Sequence, residues 1–278
     1  MRPLLDSLGE PFFQRALIEA VLVGAMSGAV GIHVLLRRLP FFVVAMSHAT
    51  FPGVVIASMA GVSLFAGGSA FAVVVVLLLI ALGRQQSIDD TSLVGVILAG
   101  SFAVGILLQS ARSGGSTELS AFLVGSILTV SAGDIASTAA TAAAVLLYLA
   151  GTHKELVFTA FDPDGARAAG YRLRLVDAGI LSAVAVALVG TIPAVGTLLA
   201  VALLTVPALT ARLWVERIGP ALVLAAGLGA VAGVFGLCAS AVLDIASGGA
   251  IALAAAALFG LSFVVTSLGR RKPEVALG

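Results

Sequence analysis

The sequence predicts an all-α fold, a polytopic integral membrane bundle of helices. Of the 278 residues, 60% are hydrophobic and 10% are charged, and the mean hydropathy is +1.17. These values differ strongly from those of a soluble globular domain. Long apolar runs recur along almost the whole chain, whereas a membrane β-barrel would show only short alternating segments. Small-xxx-small spacings, such as Gly24/Gly28 and Gly229/Gly233, predict that some helices approach each other closely.

Nine hydrophobic segments approach the length of about 20 residues that a helix needs to cross a membrane. They lie near residues 16–36, 41–60, 65–83, 93–110, 133–151, 175–190, 195–214, 220–242 and 249–268. Residues 119–131 are too short for a confident span and are a candidate interfacial or re-entrant helix. The longest polar interval, about 152–175, is too short to bury a core of its own. A single transmembrane domain over residues 1–278 is therefore predicted.

The basic residues predict the orientation, because cytoplasmic loops carry an excess of Lys and Arg. With the N-terminus outside and nine crossings, 12 of the 15 basic residues fall on the cytoplasmic side. These are Arg37, Arg38, Arg84, Lys154, Arg167, Arg172, Arg174, Arg212, Arg217, Arg270, Arg271 and Lys272. Only Arg2, Arg15 and Arg112 remain outside. The C-terminus is therefore predicted to be cytoplasmic.

Several functional classes are disfavoured. The net charge is +1 and no basic block suits nucleic acid, so nucleic acid is not an expected partner. The only lysines are Lys154 and Lys272, and neither follows a phosphate-binding glycine loop. If this protein uses ATP, another chain must bind the nucleotide. An intramembrane enzyme is disfavoured because the spans hold no acid pair, zinc cluster or glycine-x-serine-x-glycine elbow.

The stretch 46–53, MSHATFPG, places His48 in a very apolar segment. Pro40 is a plausible helix start, which puts His48 about two turns into the membrane. Imidazole binds zinc, manganese or iron, and it can also accept a proton. The alternative is a histidine that donates a hydrogen bond to a carbonyl of a neighbouring helix. Val44, one turn earlier on the same helix face, cannot bind a metal.

The other ionisable residues within or near the spans are expected at span ends. Glu19, His33 and Asp177 are expected to reach interfacial water. Asp134 and Asp244 fall at predicted outer ends, where a carboxylate could gather a cation or cap a helix.

The polar interval contains a candidate short helix. Asp162 suits the N-cap, Pro163 the first turn, and Asp164 faces the positive end of the helix dipole. Gly170 can end the helix about two turns later. Such a helix on the cytoplasmic face would be a docking surface, and an ordinary solvated connector is the alternative.

Four stretches together resemble the membrane permease subunit of bacterial ABC importers for divalent metals, the zinc and manganese uptake family. The first holds an arginine pair and a Ser/Ala-His-Ala-x-x-Pro-Gly pattern, and the second an Asp-Pro segment. The third runs from Val-Gly-x-Leu-Leu into Pro-Ala-x-x-Ala-Arg, and the fourth contains Asp-x-x-x-Gly before the last span. The stretches are LLRRLPFFVVAMSHATFPGV (35–54), FDPDGARAAGY (161–171), VGTLLAVALLTVPALTARLW (195–214) and LDIASGGAIAL (243–253).

The resemblance implies a homodimeric permease of the ABC importer type in the lipid bilayer of the bacterial plasma (inner) membrane. An extracytoplasmic metal-binding protein would feed it, and a cytoplasmic ABC ATPase dimer would drive it. No cofactor would be bound permanently, since zinc, manganese or iron would be the cargo. The family commonly has about eight spans, which implies that one segment is broken or re-entrant, with Pro193 and Gly196 marking the likeliest break.

The resemblance also implies roles for particular residues. His48 would contact the metal, and Asp244 is a second candidate for that contact. The path and packing motif would comprise Ser47, Pro52, Gly53 and Pro207. The helix that docks on the ATPase would comprise Asp162, Pro163, Asp164, Ala166 and Gly170.

The chain departs from the family at one informative position. Family members commonly place an aspartate four residues before the histidine, where this chain has Val44. Two alternatives to metal-ion import therefore stay open. One is an ABC permease for a metal chelate or other small solute, and the other is a stand-alone secondary transporter that uses His48 in proton coupling.

Overall fold

The computed structural model describes residues 9–83, 90–111 and 127–269. These residues form eleven α-helices and one 3-10 turn, Ile127–Thr129, and among them there is no β-strand. The helices are α1 Pro11–Leu36, α2 Pro40–Ala49, α3 Phe51–Ala60, α4 Leu64–Leu82, α5 Asp90–Ser110, α6 Ala132–Gly151, α7 His153–Phe161, α8 Pro163–Ala168, α9 Leu173–Trp214, α10 Ile218–Leu243 and α11 Ser247–Gly269.

Eight stretches of helix in the described residues are long and apolar enough to cross a membrane. Helices α2 and α3 together form one of them, Pro40–Ala60, whereas α9 contributes two, Leu173–Ile192 and Val195–Trp214. The apolar part of α4, Ala66–Leu82, is shorter. Each hydrophobic segment expected from the sequence is therefore helical, and the all-α polytopic bundle is confirmed.

Some of the sequence expectations fall on residues outside the described ranges. Of the candidate helix over 119–131, residues 119–126 lie outside them, and the remainder includes the 3-10 turn. Several of the basic residues that set the orientation also lie outside, namely Arg2, Arg84, Arg112, Arg270, Arg271 and Lys272. The orientation stays a prediction.

Helix α9 is interrupted at Gly196. An unbroken helix of 42 residues would be about 63 Å long, roughly twice the hydrocarbon thickness of a bilayer. Gly196 has φ 78° and ψ 166°, a conformation that is essentially open only to glycine. Gly196 divides α9 at the predicted break. Both halves are long and apolar enough to span a membrane, so the short helix α4, and not this break, reduces the nine expected segments to eight candidate spans in the described residues.

Helix α1 lies at the centre of the bundle, where it packs mainly against α9 and α10 and also against α6. Its contact with α10 is made by small residues. Gly24 faces Gly229, and Gly28 faces the Ala225 carbonyl. A methyl group added to Gly24, Gly28 or Gly229 would overlap the backbone of the opposite helix. The small-residue spacings thus permit direct backbone contact between α1 and α10.

The α1–α10 contact predicts opposite effects for two glycines on one helix. Replacing Gly229→Ala is expected to lower the stability by about 1–3 kcal/mol, because the new methyl group collides with the Gly24 backbone. Gly227→Ala is the matched control, since a methyl group there meets open space. The melting temperatures of the purified variants measure the difference. Equal values for the two variants would contradict the close packing of α1 on α10.

Candidate functional site

His48 lies near the middle of the Pro40–Ala60 stretch, in the last turn of α2. Helix α2 begins at Pro40, as predicted. The imidazole is partly buried, and its edge packs against the ring of Phe102 on α5, with centroids 5.8 Å apart. Within the described part of the chain it makes no hydrogen bond to another residue, so the alternative of donation to a neighbouring carbonyl is not seen. Its polar atoms are open to another ligand.

The main chain next to the imidazole is also unusual. In a continuous helix the His48 carbonyl would accept a hydrogen bond from the residue four positions later, but that residue is Pro52, which has no N–H. The Gly53 N–H bonds instead to the Thr50 carbonyl, at 3.1 Å. Helix α2 therefore ends at Ala49 and α3 begins at Phe51. Pro52 leaves a carbonyl oxygen without its regular helical donor close to the imidazole.

The remaining residues of the predicted path motif have packing roles in the structure. Ser47 is buried, and its hydroxyl donates to the Val44 carbonyl of its own helix at 2.7 Å. Gly53 contacts Gly67 on α4, and a side chain at Gly53 would overlap the Gly67 carbonyl. Pro207 is buried within the second half of α9. Of these residues, Gly53 permits the close contact between α3 and α4.

Asp244 is the other predicted metal contact. It ends α10 in the left-handed conformation, with φ 53°, and its side chain is exposed. The flanking helices α10 and α11 pack mainly against α1, α9 and each other. No group of three or more His, Cys, Asp or Glu side chains that could hold a metal occurs in the described ranges. A role for Asp244 in metal binding stays a prediction.

The predicted short helix is present as α8. The Asp162 carboxylate accepts a hydrogen bond from the Gly165 N–H at 2.8 Å, and Pro163 is the first helical residue. Gly170 has φ 87° and ends the helix in a Schellman motif. In this motif the Gly170 N–H bonds to the Arg167 carbonyl and the Tyr171 N–H to the Ala166 carbonyl, both at 3.0 Å. The sequence therefore predicted both ends of α8 correctly.

Helix α8 is an ordered surface feature with an anchored inner side. Ala166 is fully buried, whereas Asp164 and Arg167 form an exposed ion pair. Tyr171, just after the helix, packs edge-on against Phe158 of α7, with ring centroids 5.8 Å apart. We refer to residues 153–170 as the α7–α8 segment. It presents an exposed ridge at the end of the bundle, in which the apolar Phe158 and Phe161 lie beside charged residues.

Arg37 connects the α7–α8 segment to the spanning helices, a role that the arginine pair of the first stretch did not predict. Its guanidinium forms an ion pair with Asp177 on α9, and it donates to the Thr159 hydroxyl at 2.6 Å and to the Leu156 carbonyl at 3.3 Å. The Arg37 side chain is only 11% exposed. The sequence shows that Arg37 lies just before α2, whereas its hydrogen-bond partners are evident only in the tertiary structure.

Two other ionisable residues differ from their expected positions. Glu19 was expected to reach interfacial water, but it is fully buried and accepts a hydrogen bond from Thr138 of α6 at 2.7 Å. His33 is also buried, with its ring 6.3 Å from that of His153 on α7. Both lie on α1, and the helices packed around α1 bury them.

Residues 10–266 match the profile of the ABC 3 transport family. The chain belongs to the ABC 3 transport family. It is a multi-pass membrane permease of that family, in agreement with the resemblance carried by its sequence motifs.

Three known proteins are similar to this chain over most of its length. The manganese transport system membrane protein MntC of Halalkalibacterium halodurans is 33% identical over 92% of this chain and 88% of its own length. The chelated iron transport system membrane protein YfeD of Yersinia pestis is 28% identical over 91% of this chain and 85% of its own length. A chain in the solved structure of PsaBC from Streptococcus pneumoniae in complex with Fab gives a TM-score of 0.79, with 32% identity and 94% of each chain covered.

The cap of α8 predicts a local effect on backbone protection. Asp162→Ala removes the acceptor of the Gly165 N–H, which is expected to cost about 1 kcal/mol and to raise amide exchange in residues 163–169 about fivefold. Asp164→Ala is the matched control, because this exposed carboxylate pairs with Arg167 and does not cap the helix. Hydrogen–deuterium exchange of the two purified variants checks the prediction. Equal protection of the α8 amides in both would contradict the capping role.

Proposed function

We propose that this chain is the permease of an ATP-driven importer that carries a divalent metal ion across the bacterial plasma membrane. The observation that carries the proposal is His48, an imidazole without a hydrogen-bond partner among the described residues, in the middle of a spanning stretch. Ionisable residues at such depth mark transport paths by default. Family membership and the functions for which the relatives are named support the same conclusion. Residues 1–278 act in it as a single transmembrane domain.

The ligands at the site bear on the identity of the ion. Imidazole suits iron and zinc, whereas manganese prefers carboxylate, carbonyl and water oxygens. Val44 supplies no carboxylate beside His48, but the His48 carbonyl, without its helical donor because of Pro52, is an oxygen ligand in the right neighbourhood. We propose manganese or iron as the cargo, since the relatives are named for manganese and for chelated iron. Zinc is the third ion to test.

The exposure of the site favours a homodimer. Val44 and Phe102, which flank His48, are 39% and 38% exposed in the single chain. An imidazole that faces lipid without partners would be costly, so we propose that a second copy covers this face and brings its own His48 to the path. Two imidazoles, carbonyl oxygens and water would then surround the ion.

The partners follow from the two ends of the bundle. We propose that the ridge of the α7–α8 segment, led by the capped helix α8, is the coupling surface on which a cytoplasmic ABC ATPase dimer docks. An extracytoplasmic metal-binding protein would deliver the ion to the opposite end. This arrangement places the C-terminus in the cytoplasm, in agreement with the distribution of basic residues.

A second candidate function is the import of a metal chelate or other small solute by the same ABC architecture. Val44 and Phe102 favour it, because apolar groups beside His48 suit an organic ligand better than a hydrated ion. The relative named for chelated iron points the same way. A stand-alone secondary transporter would instead work without any ATPase.

Removing the imidazole tests the leading proposal. In proteoliposomes that contain the permease, its ATPase and its binding protein, His48→Ala is expected to reduce uptake of manganese, iron and zinc about tenfold or more, because a metal ligand is lost. Phe102→Leu is the control, since it changes the neighbour of the imidazole and leaves the ligand. Unchanged ATP-dependent uptake by His48→Ala would favour the second candidate. Uptake by wild type without the ATPase would indicate a secondary transporter.

A carboxylate at position 44 is expected to change ion preference. In Val44→Asp the new side chain shares the helix face of His48 and adds a hard oxygen ligand, so manganese uptake should rise relative to iron uptake. Val44→Asn is the matched control, because it has nearly the same shape and no charge. Competition uptake with both ions measures the ratio. If the Asp and Asn variants show the same ratio as wild type, position 44 does not face the ion.

A further inference from the structure

We propose that Arg37 is a positioning residue that transmits movement of the α7–α8 segment to helix α2 and thereby to His48. The inference rests on the proposed function, in which the α7–α8 segment is the surface moved by the ATPase. It concerns a different question, namely how a displacement at the end of the bundle reaches a histidine inside the membrane.

The guanidinium of Arg37 holds two separate elements at once. One terminal nitrogen of the guanidinium, Nη1, pairs with Asp177 near the start of α9. The other, Nη2, donates to the Thr159 hydroxyl and the Leu156 carbonyl on α7. The Thr159 hydroxyl can accept from Arg37 because its own proton is donated to the Glu155 carbonyl, at 2.7 Å. Helix α7 ends at Phe161 and α8 begins at Pro163, so a movement of α8 is passed to these acceptors through α7.

The turn that carries Arg37 has little freedom to absorb such a movement. Arg38 has φ 55°, a conformation that L side chains rarely adopt, so the chain reverses sharply between α1 and α2. The Leu39 N–H bonds back to the Val34 carbonyl at 2.8 Å. Helix α2 begins at the next residue, Pro40, and His48 follows about 12 Å along it. A displacement of Arg37 therefore shifts α2 as a unit.

The packing beside this turn leaves space for movement. A cleft of about 380 Å³ opens next to the Arg37–Asp177 pair, between α2, α4, α5 and α9. Phe42 of α2, Leu79 of α4 and Ile180 of α9 are among its apolar lining residues. On this side α2 is held to α9 by the polar contacts of Arg37 as well as by close packing. The same guanidinium also contacts the α7–α8 segment.

The chemistry of the contact requires arginine. A planar guanidinium presents donors in a fixed fork and can bind a carboxylate in one direction and a hydroxyl and carbonyl in another. A lysine ammonium keeps the charge but is a single point, so it cannot span Asp177 and Thr159 in the same way. Arg37→Lys thus removes the bridge and preserves the charge of the turn.

The test follows ATP-driven movement near His48 in the complete transporter. A fluorophore is attached at Phe41→Cys, because Phe41 is exposed on α2. The single native cysteine, Cys238, is replaced by alanine so that only position 41 is labelled. The change in fluorescence on ATP addition is measured for the otherwise unchanged protein and for Arg37→Lys, Arg38→Lys and Thr159→Val. Metal ions transported per ATP hydrolysed are measured on the same proteoliposomes. Arg38→Lys is the matched control, since Arg38 is the exposed neighbour of Arg37.

Arg37→Lys is expected to reduce the fluorescence change and the number of ions per ATP about fivefold or more, while ATP hydrolysis continues. Thr159→Val should reduce both in the same direction, and Arg38→Lys should match the unchanged protein. Unaltered signals in Arg37→Lys, or equal losses in both arginine variants, would overturn the inference. If Arg37→Lys does not fold, Thr159→Val decides by the same criteria. Failure of the proposed metal transport would appear separately, as absent uptake in wild type with the ATP-induced fluorescence change intact.

Discussion

Helix α1 can occupy the centre of the bundle because glycine allows the backbone of α10 to touch it. Side chains of ordinary size at Gly24, Gly28 and Gly229 would push the two helices apart. Lipid offers apolar side chains nearly the same environment as the protein interior, so close packing, more than the hydrophobic effect, holds membrane helices together. The other elements are arranged around this pair, since α6 and α9 also pack on α1.

The central position of α1 explains why Glu19 and Arg37 have their partners inside the bundle. Glu19 lies against α6 and takes the Thr138 hydroxyl as its partner. Arg37 ends the helix at the level of the α7–α8 segment and of Asp177, and its donors are divided between them. One helix therefore combines a rigid apolar contact with α10 and a polar contact with the segment proposed to meet the ATPase. A firm contact between α1 and α10 would allow Arg37 to pass movement of the α7–α8 segment on to α2.

The sequence predicted features that depend on neighbouring residues in the chain. The helical segments follow from hydropathy, the interruption of α9 from Gly196, and both ends of α8 from Asp162 and Gly170. It did not predict features that depend on distant residues. Asp177 follows Arg37 by 140 residues and Thr138 follows Glu19 by 119, and no periodicity carries such pairings. Glu19 and His33 were placed at span ends by counting along α1, whereas packing around α1 buries them.

His48 shows how local chain chemistry and the proposed assembly act together. Pro52 has no N–H to give the His48 carbonyl its regular helical hydrogen bond, and the Thr50 N–H is directed to that oxygen beside the imidazole. One imidazole and one carbonyl cannot replace the hydration shell of a divalent ion, which binds about six ligands when these are oxygen atoms. A single chain would therefore supply only some of the ligands of the proposed site. A second copy across the exposed face of Val44 and Phe102 would add its own imidazole and carbonyl, and water would complete the sphere around an ion between the two chains.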